Sequence, residues 1–154
     1  MKYNLVVFCF IFSFLPIIIF AQNEKNCEQR FQQIEANKKM VTEFYQQLFG
    51  DKNPEVILKY LAEDYIQHNP ALPDGRKALY DAVKVWFKDA PKEKVDLQRI
   101  AADGDLVYLH VRSKMGNKTV AVVDIFRIEN GKIAEHWDVI QEVPEKSANP
   151  HPMF

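Results

Sequence analysis

The chain has 154 residues, of which 47% are hydrophobic and 27% are charged. These proportions are typical of one soluble globular domain, and no repeat or low-complexity tract is visible. The formal net charge of -1 argues against a nucleic-acid or anionic-membrane partner, because either would select for a basic surface.

The N terminus has the pattern of a secretory signal peptide. Lys2 precedes an almost unbroken apolar run from Leu5 to Phe20, and Ala21-Gln22 follows as a cleavage site. The run is shorter than the roughly 20 residues that a membrane span requires. We therefore predict cleavage after Ala21 and export to the periplasm or the medium, with no membrane span in the mature chain. The alternative is an uncleaved N-terminal anchor.

Three segments follow from this interpretation. Residues 1–21 are the signal peptide, residues 22–36 are a polar start with the lead-in to a helix, and residues 37–154 are the folded domain. Cleavage removes Cys9 and leaves Cys27 alone, so no internal disulfide is expected.

The first half of the mature chain predicts three helices. Apolar residues recur at helical spacing from Cys27 to Phe49, with a polar and frayed stretch before them. Asn53-Pro54 begins a short second helix, since Asn is a favoured N-cap and Pro a favoured first residue. A short extended piece and a turn follow between Asp64 and Gly75, and the third helix spans Arg76 to Lys88.

The second half has the pattern of a sheet. Val95–Ile100, Leu106–Met115, Lys118–Glu129 and Lys132–Val143 are predicted strands, and Asn130-Gly131 is a strong hairpin signal. Long strands joined by short turns predict an antiparallel meander. Helices first and strands afterwards predict an α+β fold, with N-terminal helices packed on a strongly curved antiparallel sheet whose concave mouth binds a ligand.

Strand alternation assigns the faces of the strands, and the hairpin turn then groups polar residues near that mouth. Asp124 is the one carboxylate in an otherwise apolar row of its strand. The hairpin predicts that Asp124 lies opposite Trp137, with His136 and Asp138 as diagonal neighbours. A slip of one residue or a bulge would change these partners.

These residue types suit proton transfer. An apolar cavity disfavours the charged form of a carboxylate, which makes it a better base near neutral pH. A histidine beside it can donate a hydrogen bond to a developing enolate. We predict Asp124, Asp138, His136 and His68 as catalytic residues. The alternative is that Asp124 pairs with an arginine, Arg112 or Arg127, and only stabilises the sheet.

Other chemistries are less well supported. His68, His110 and His136 with an aspartate have the residue types of a zinc or iron site, but they form no compact ligand motif. No nucleophile-elbow motif and no glycine-rich phosphate loop is present. We therefore predict neither a metal nor a cofactor.

Three stretches resemble SnoaL-like proteins of the nuclear-transport-factor-2-like superfamily. Val122–Asp138 is similar to the closing hairpin of these proteins, and Tyr65–Pro70 followed by Asp74-Gly75 is similar to their exit from helix two. The tail Val143–Phe154 resembles the group of SnoaL-like aldol-condensation-catalysing proteins. The likeness runs from Lys38 to the end of the chain. It implies a cone-shaped, cystatin-like α+β barrel that is usually a dimer.

The resemblance also implies a chemistry. Relatives include polyketide cyclases, ketosteroid isomerase and scytalone dehydratase, and in the cyclases an aspartate near the end of the sheet is the acid or base. That role would fall on Asp138 or Asp124, with histidine partners among His68, His110 and His136. The expected function is aldol cyclisation, isomerisation or hydration-dehydration beside a carbonyl. The alternative is a non-catalytic exported binding protein for a small apolar ligand.

The expected ligand is a small apolar molecule that contains a carbonyl group. The residues predicted to bind it are His110, Asn69, Tyr65, Trp86 and Phe126. Trp137 and Val139 would leave an apolar sheet surface exposed, which predicts a homodimer. The aromatic tail Pro152–Phe154 is expected to pack over the pocket mouth or on the partner subunit.

Overall fold

The computed structural model describes residues 15–154, with side chains from residue 24 onward. Residues 1–14 of the predicted export signal lie outside this part, so its cleavage stays a prediction. The chain divides into a unit that ends at Gln33 and a main unit, Ile34–Phe154. None of the described helices is both long and apolar enough to cross a membrane.

The three predicted helices are present with shifted ends. Helix α1 spans Leu15–Tyr45 and continues as one π-helical turn, Gln46–Gly50. It therefore begins well before the predicted start at Cys27, and the stretch expected to be frayed is helical. Helices α2 and α3 span Val56–Tyr60 and Arg76–Trp86.

The five strands form one mixed sheet in the order β1-β5-β4-β3-β2. Their bounds are Leu61–Gln67, Asp96–Asp103, Leu106–Met115, Lys118–Glu129 and Lys132–Glu142 for β1 to β5. The antiparallel meander of β2 to β5 is confirmed. The piece predicted to be extended is strand β1, which pairs in parallel with β5, so the sheet is mixed and does not close. The α+β fold is confirmed.

The core lies between the helices and one face of the sheet. We call this the inner face; on β4 it carries Val122, Asp124 and Phe126, whereas Val123 and Ile125 point to the outer face. Phe44 of α1 packs edge-on against Phe126, with ring centroids 6.1 Å apart. Burial of each large apolar side chain contributes roughly 1.5–3 kcal/mol. The largest fully buried side chains are Phe44, Leu48, Ile57, Leu61, Leu109, Ile133, Val41, Val83 and Val107.

A β-bulge corrects the predicted register of the last hairpin. Asn130 and Gly131 both have positive φ, 50° and 72°, as a tight two-residue turn requires. Ile128 pairs with Ile133, but the next pair is Arg127 with Glu135, so β5 has one extra residue between them. The prediction that Asp124 faces Trp137 is therefore wrong. Asp124 pairs directly with Asp138.

Candidate acid–base site

The main unit contains a cavity of about 850 Å³ between the helices and the inner face. This volume falls within the range of roughly 300–1,000 Å³ that is usual for small-molecule sites. Aromatic side chains form part of its wall, among them Phe44, Phe49, Phe87 and Phe126. The polar lining residues that matter for the chemistry are Tyr45, Tyr65, Gln67, Asn69, Asp124, His136 and Asp138.

Asp124 and His136 form a buried pair. The side chain of Asp124 is 6% exposed and that of His136 is 11% exposed. His136 Nε2 lies 3.0 Å from Asp124 Oδ1, and the Tyr45 hydroxyl donates to Asp124 Oδ2 over 2.9 Å. Each carboxylate oxygen therefore has a partner from a different element, Oδ1 from β5 and Oδ2 from α1.

The other ring nitrogen of His136 has a defined role. Gln67 Oε1 lies 2.9 Å from His136 Nδ1 and also accepts the backbone N–H of Asn69 over 3.0 Å. A backbone N–H can only donate, so the Gln67 atom that faces it is the carbonyl oxygen. The same oxygen then accepts from His136, which means that Nδ1 carries a proton.

This assignment fixes the number of protons between His136 and Asp124. With Nδ1 protonated, Nε2 either donates to a carboxylate or accepts from a carboxylic acid. Both descriptions place one proton in the Nε2–Oδ1 contact. One proton is therefore present at the Nε2–Oδ1 contact, whichever of the two atoms carries it.

Asp138 lies opposite Asp124 but has different partners. The Asn69 side-chain amide donates to both of its carboxylate oxygens, over 2.9 Å and 2.7 Å. Asp138 is half-buried and lines the cavity. Among the described residues, no Lys, Arg or His side chain forms an ion pair with Asp138, so its two oxygens depend on the Asn69 amide.

The two tyrosines of the site stay protonated over the physiological range. Burial raises the pKa of the Tyr45 hydroxyl well above its usual value, and the nearby Asp124 carboxylate raises it further. Burial also raises the pKa of Tyr65, with additional contributions from Asp124 and Asp138. Both phenols are therefore hydrogen-bond donors at neutral pH.

A turn after β1 positions the polar residues of this strand. The Gln67 backbone N–H donates to Asp74 Oδ1 over 2.8 Å, and the Gly75 N–H donates to the Tyr65 carbonyl over 3.1 Å. Gly75 has φ 98° and ψ 142°, a conformation that is essentially restricted to glycine. The Asp74-Gly75 turn thus holds Tyr65 and Gln67 in line with the parallel pairing of Gln67 and His136.

Two predicted histidines lie apart from this group. His68 stacks on Trp137 with ring centroids 4.3 Å apart, and its Nε2 is 2.9 Å from Glu135. His110 contacts Arg99 over 3.1 Å and stacks on the Phe154 ring. Neither histidine lines the cavity. The tail residue Phe154 thus packs on the outer face of its own sheet, not over the pocket mouth.

The remaining predicted residues line the cavity. They are Tyr65, Asn69, Trp86 and Phe126. Trp86 is half-exposed, and Phe126 packs against His136 with ring centroids 4.8 Å apart.

The arginines considered as partners of Asp124 pair elsewhere. Arg127 binds Glu135 and Glu129, over 2.6 Å and 3.0 Å, and Arg112 lies 3.5 Å from Asp96. The interpretation of Asp124 as an arginine-paired stabiliser of the sheet is therefore wrong.

Metal-binding capacity is confined to the same cluster in the part of the chain that the structure describes. One ligand atom from each of Asp124, His136 and Asp138 lies within 4.8 Å of the others. Two carboxylates and an imidazole are ligand types that zinc and iron accept. The predicted absence of a metal stays a prediction.

Sequence reasoning missed Tyr45 and Gln67. Tyr45 reads as a member of the apolar stripe of α1, and its hydroxyl reaches Asp124 across 79 positions of sequence. Gln67 lies in β1, and the sequence of β1 does not indicate that this strand pairs in parallel with β5. Its position two residues after Tyr65, and therefore on the same face of β1, was the available signal.

Helices packed on one face of a five-stranded sheet, with a cavity between them, define the α+β cone class of proteins. The chain belongs to the SnoaL-like domain family, whose sequence profile matches residues 41–136. No curated protein matches the chain.

Solved structures of similar fold agree with this assignment. An NTF-2-like protein of unknown function from Burkholderia xenovorans LB400 has a TM-score of 0.61 and 16% identity, covering 74% of this chain and 89% of that chain. A candidate ketosteroid isomerase from Kribbella flavida DSM 17836 has a TM-score of 0.60 and 18% identity, covering 75% and 85%. A candidate polyketide cyclase from Acidithiobacillus ferrooxidans has a TM-score of 0.55 and 17% identity, covering 68% and 87%. At these identities the likeness establishes the fold.

Proposed function

We propose that the protein is a cofactor-independent acid–base enzyme that moves a proton on a carbon beside a carbonyl group. The observation that carries this proposal is that two facing carboxylates, Asp124 and Asp138, have different hydrogen-bond partners. Both carboxylates line the cavity, but Asp124 is bound to His136 and Tyr45, whereas the hydrogen-bond partner of Asp138 is the Asn69 side-chain amide. Pairs of titratable groups in different environments are the usual basis for separate acid and base roles.

Each polar residue of the site has one chemical role in the proposed reaction. Asp138 takes the proton from the carbon, and the electron pair of the broken C–H bond moves onto the carbonyl oxygen as an enolate. The Tyr65 hydroxyl donates a hydrogen bond to that oxygen. The enolate carbon then takes a proton back or attacks a second carbonyl, and the Asp124–His136 pair supplies the proton that the new alkoxide needs. Isomerisation, aldol cyclisation and dehydration all begin with this removal of a carbon-bound proton. In dehydration the Asp124–His136 pair would protonate the hydroxyl group that leaves as water. Asp138 then gives its proton to solvent, and the pair takes one back.

The cavity wall supports an apolar ligand that contains a carbonyl. Aromatic and aliphatic side chains form a large part of the lining, and a ring system or an aliphatic body would bind by burial of its surface against them. The polar groups then fix the orientation of the carbonyl.

Exchange of a carbon-bound proton for deuterium tests the base directly. Acetophenone and cyclohexanone are incubated with the protein in deuterated buffer, and loss of the signal of the protons beside the carbonyl is followed by NMR. We expect exchange above the buffer rate, and a loss of about a hundredfold or more in Asp138→Asn. Asp64→Asn, an exposed residue of β1, is the matched control.

The possible outcomes separate enzyme from binder. Binding of the ketones without exchange by the wild-type protein would contradict the enzymatic proposal and favour the non-catalytic binding protein. Exchange that persists in Asp138→Asn would move the base to another residue.

We also propose that the protein is a homodimer that uses the outer face. Val139 is 66% exposed and Val123 is 38% exposed on adjacent strands, with half-buried Ile125 and Trp137 beside them. An apolar surface of this kind is normally covered. Light scattering should give a dimeric mass that Val139→Glu reduces to a monomer, whereas Val85→Glu, an exposed valine of α3, should not. A monomeric wild-type mass would refute the proposal.

Export to the periplasm or the medium is proposed on the N-terminal sequence pattern. The intact mass of the protein recovered from its own host should correspond to a chain that begins at Gln22. A cell-associated chain that retains residues 1–21 would contradict export with cleavage and support the anchor alternative.

A further inference from the structure

We infer that Gln67 is a positioning residue that sets the direction of two hydrogen bonds of the site at once. Its carbonyl oxygen keeps the proton of His136 on Nδ1, and its amide group leaves the Tyr65 hydroxyl proton free to point into the cavity. The inference rests on the proposed function, in which Tyr65 donates to the ligand oxygen.

The oxygen of Gln67 is fully used. It accepts from His136 Nδ1 over 2.9 Å and from the Asn69 backbone N–H over 3.0 Å. A carbonyl oxygen has two lone pairs, so both are occupied. The Asn69 N–H cannot reverse its role, and this contact prevents the Gln67 amide from rotating by 180°. The protonated nitrogen of His136 is therefore determined by a backbone group one strand away.

The nitrogen of Gln67 determines the direction of Tyr65. Gln67 Nε2 donates to the Tyr65 hydroxyl oxygen over 3.1 Å, so Tyr65 is the acceptor in this contact. A phenol has a single proton, and the contact with Gln67 does not use it. Among the described residues no other hydrogen bond of the Tyr65 hydroxyl is formed, and the residue lines the cavity. The free proton is thus available to a ligand.

Backbone contacts hold Gln67 where it can serve both partners. Its side chain is buried, its N–H is bound by Asp74, and it pairs with His136 across the parallel β1–β5 edge. Rotation of the side chain to another rotamer would break its hydrogen bonds with His136, Asn69 and Tyr65. An amide fits here because the position needs one acceptor end toward His136 and one donor end toward Tyr65.

A glutamate at this position would keep the size and reverse one bond. A carboxylate has no proton to donate, so Tyr65 would donate to it and turn its proton away from the cavity. The contacts with His136 Nδ1 and the Asn69 N–H would remain, because both are donors. Gln67→Glu is therefore expected to fold and to remove the donor function of Tyr65 without removing its ring.

Two measurements test the inference without any need for turnover. The first is the ¹⁵N spectrum of histidine-labelled wild-type protein, in which His136 Nδ1 should appear as a protonated nitrogen. An unprotonated Nδ1 would overturn the inference. The second uses acetophenone labelled with ¹³C at the carbonyl carbon, whose resonance moves downfield when the oxygen accepts a hydrogen bond.

Wild-type protein should bind the labelled acetophenone with a downfield carbonyl shift. Gln67→Glu and Tyr65→Phe should both lose the shift and bind about tenfold more weakly, and the double variant should bind no more weakly than Tyr65→Phe. Gln29→Glu, an exposed glutamine of α1, adds the same charge and should behave as wild type.

The failures are distinguishable. A wild-type shift and affinity in Gln67→Glu, or no binding by the wild-type protein, would overturn the positioning role. If the carbonyl shift follows the expected pattern but no proton exchange is catalysed, the positioning role stands for a bound carbonyl and only the enzymatic proposal fails.

Discussion

Replacement of Asp124 tests whether this carboxylate is an integral part of the buried network. Asp124→Ala leaves the Tyr45 hydroxyl and the facing nitrogen of His136 without partners, and a buried unpaired polar group costs about 1–3 kcal/mol. The two groups together predict a loss of roughly 4 kcal/mol in the free energy of unfolding. Asp124→Asn is isosteric: its oxygen accepts from Tyr45, and its amide donates to Nε2. Its expected loss is about 1 kcal/mol.

Urea unfolding at pH 7, followed by tryptophan fluorescence, gives both free energies. The difference between the two variants, about 3 kcal/mol, corresponds to a fall of roughly 10 °C in the melting temperature for a domain of this size. If the unfolding free energies of the alanine and asparagine variants differed by less than about 1 kcal/mol, the hydrogen bonds of Asp124 would not contribute to stability as described. The described hydrogen bonds would then not account for its burial.

Three further perturbations test other parts of the structure. The raised pKa values of Tyr45 and Tyr65 mean that only the unfolded chain ionises them above pH 10, so each should lower the unfolding free energy there by about 1.4 kcal/mol per pH unit, and Tyr45→Phe should remove its share of that slope. The contact with His68 lowers the pKa of Glu135, so Glu135→Gln should destabilise at pH 7, and the difference from wild type should shrink as the pH falls from the ordinary value of 4.5 through the lowered pKa of the folded state. Gly50→Ala places a Cβ 2.7 Å from a backbone carbonyl oxygen and should cost about 1–3 kcal/mol by urea unfolding.

The fold was predictable because its signals are local. Apolar spacing identified three helices, and the bounds of β3 and β4 were predicted without error, because turn residues bracket each strand. The start of α1 was missed, since a polar stretch carries no apolar spacing from which to predict a helix. Strand β1 was assigned only as an extended piece, because parallel pairing with β5 depends on a partner some 70 residues away.

The site was predictable as a group of residues and not as a set of contacts. Alternation and the hairpin turn placed Asp124, His136 and Asp138 near one another, and one ligand atom from each lies within 4.8 Å of the others. His68 and His110 have the same chemistry but point elsewhere, which residue type cannot reveal. The partners that decide the roles of the carboxylates, Tyr45 above all, come from other elements and depend on tertiary packing.

The bulge at Ala134 is the feature that makes the cluster possible. Along a regular strand, residues an odd number of positions apart point to opposite faces, so Ile133 and His136 could not both face inward. Ile133 is nevertheless fully buried in the core, and His136 and Asp138 line the cavity. One extra residue resolves the conflict, because the bulge reverses the alternation beyond it. Strand β5 thus contributes Ile133 to the core before Ala134, and His136 and Asp138 to the cavity after it. The direct pairing of Asp124 with Asp138 is a consequence of that reversal.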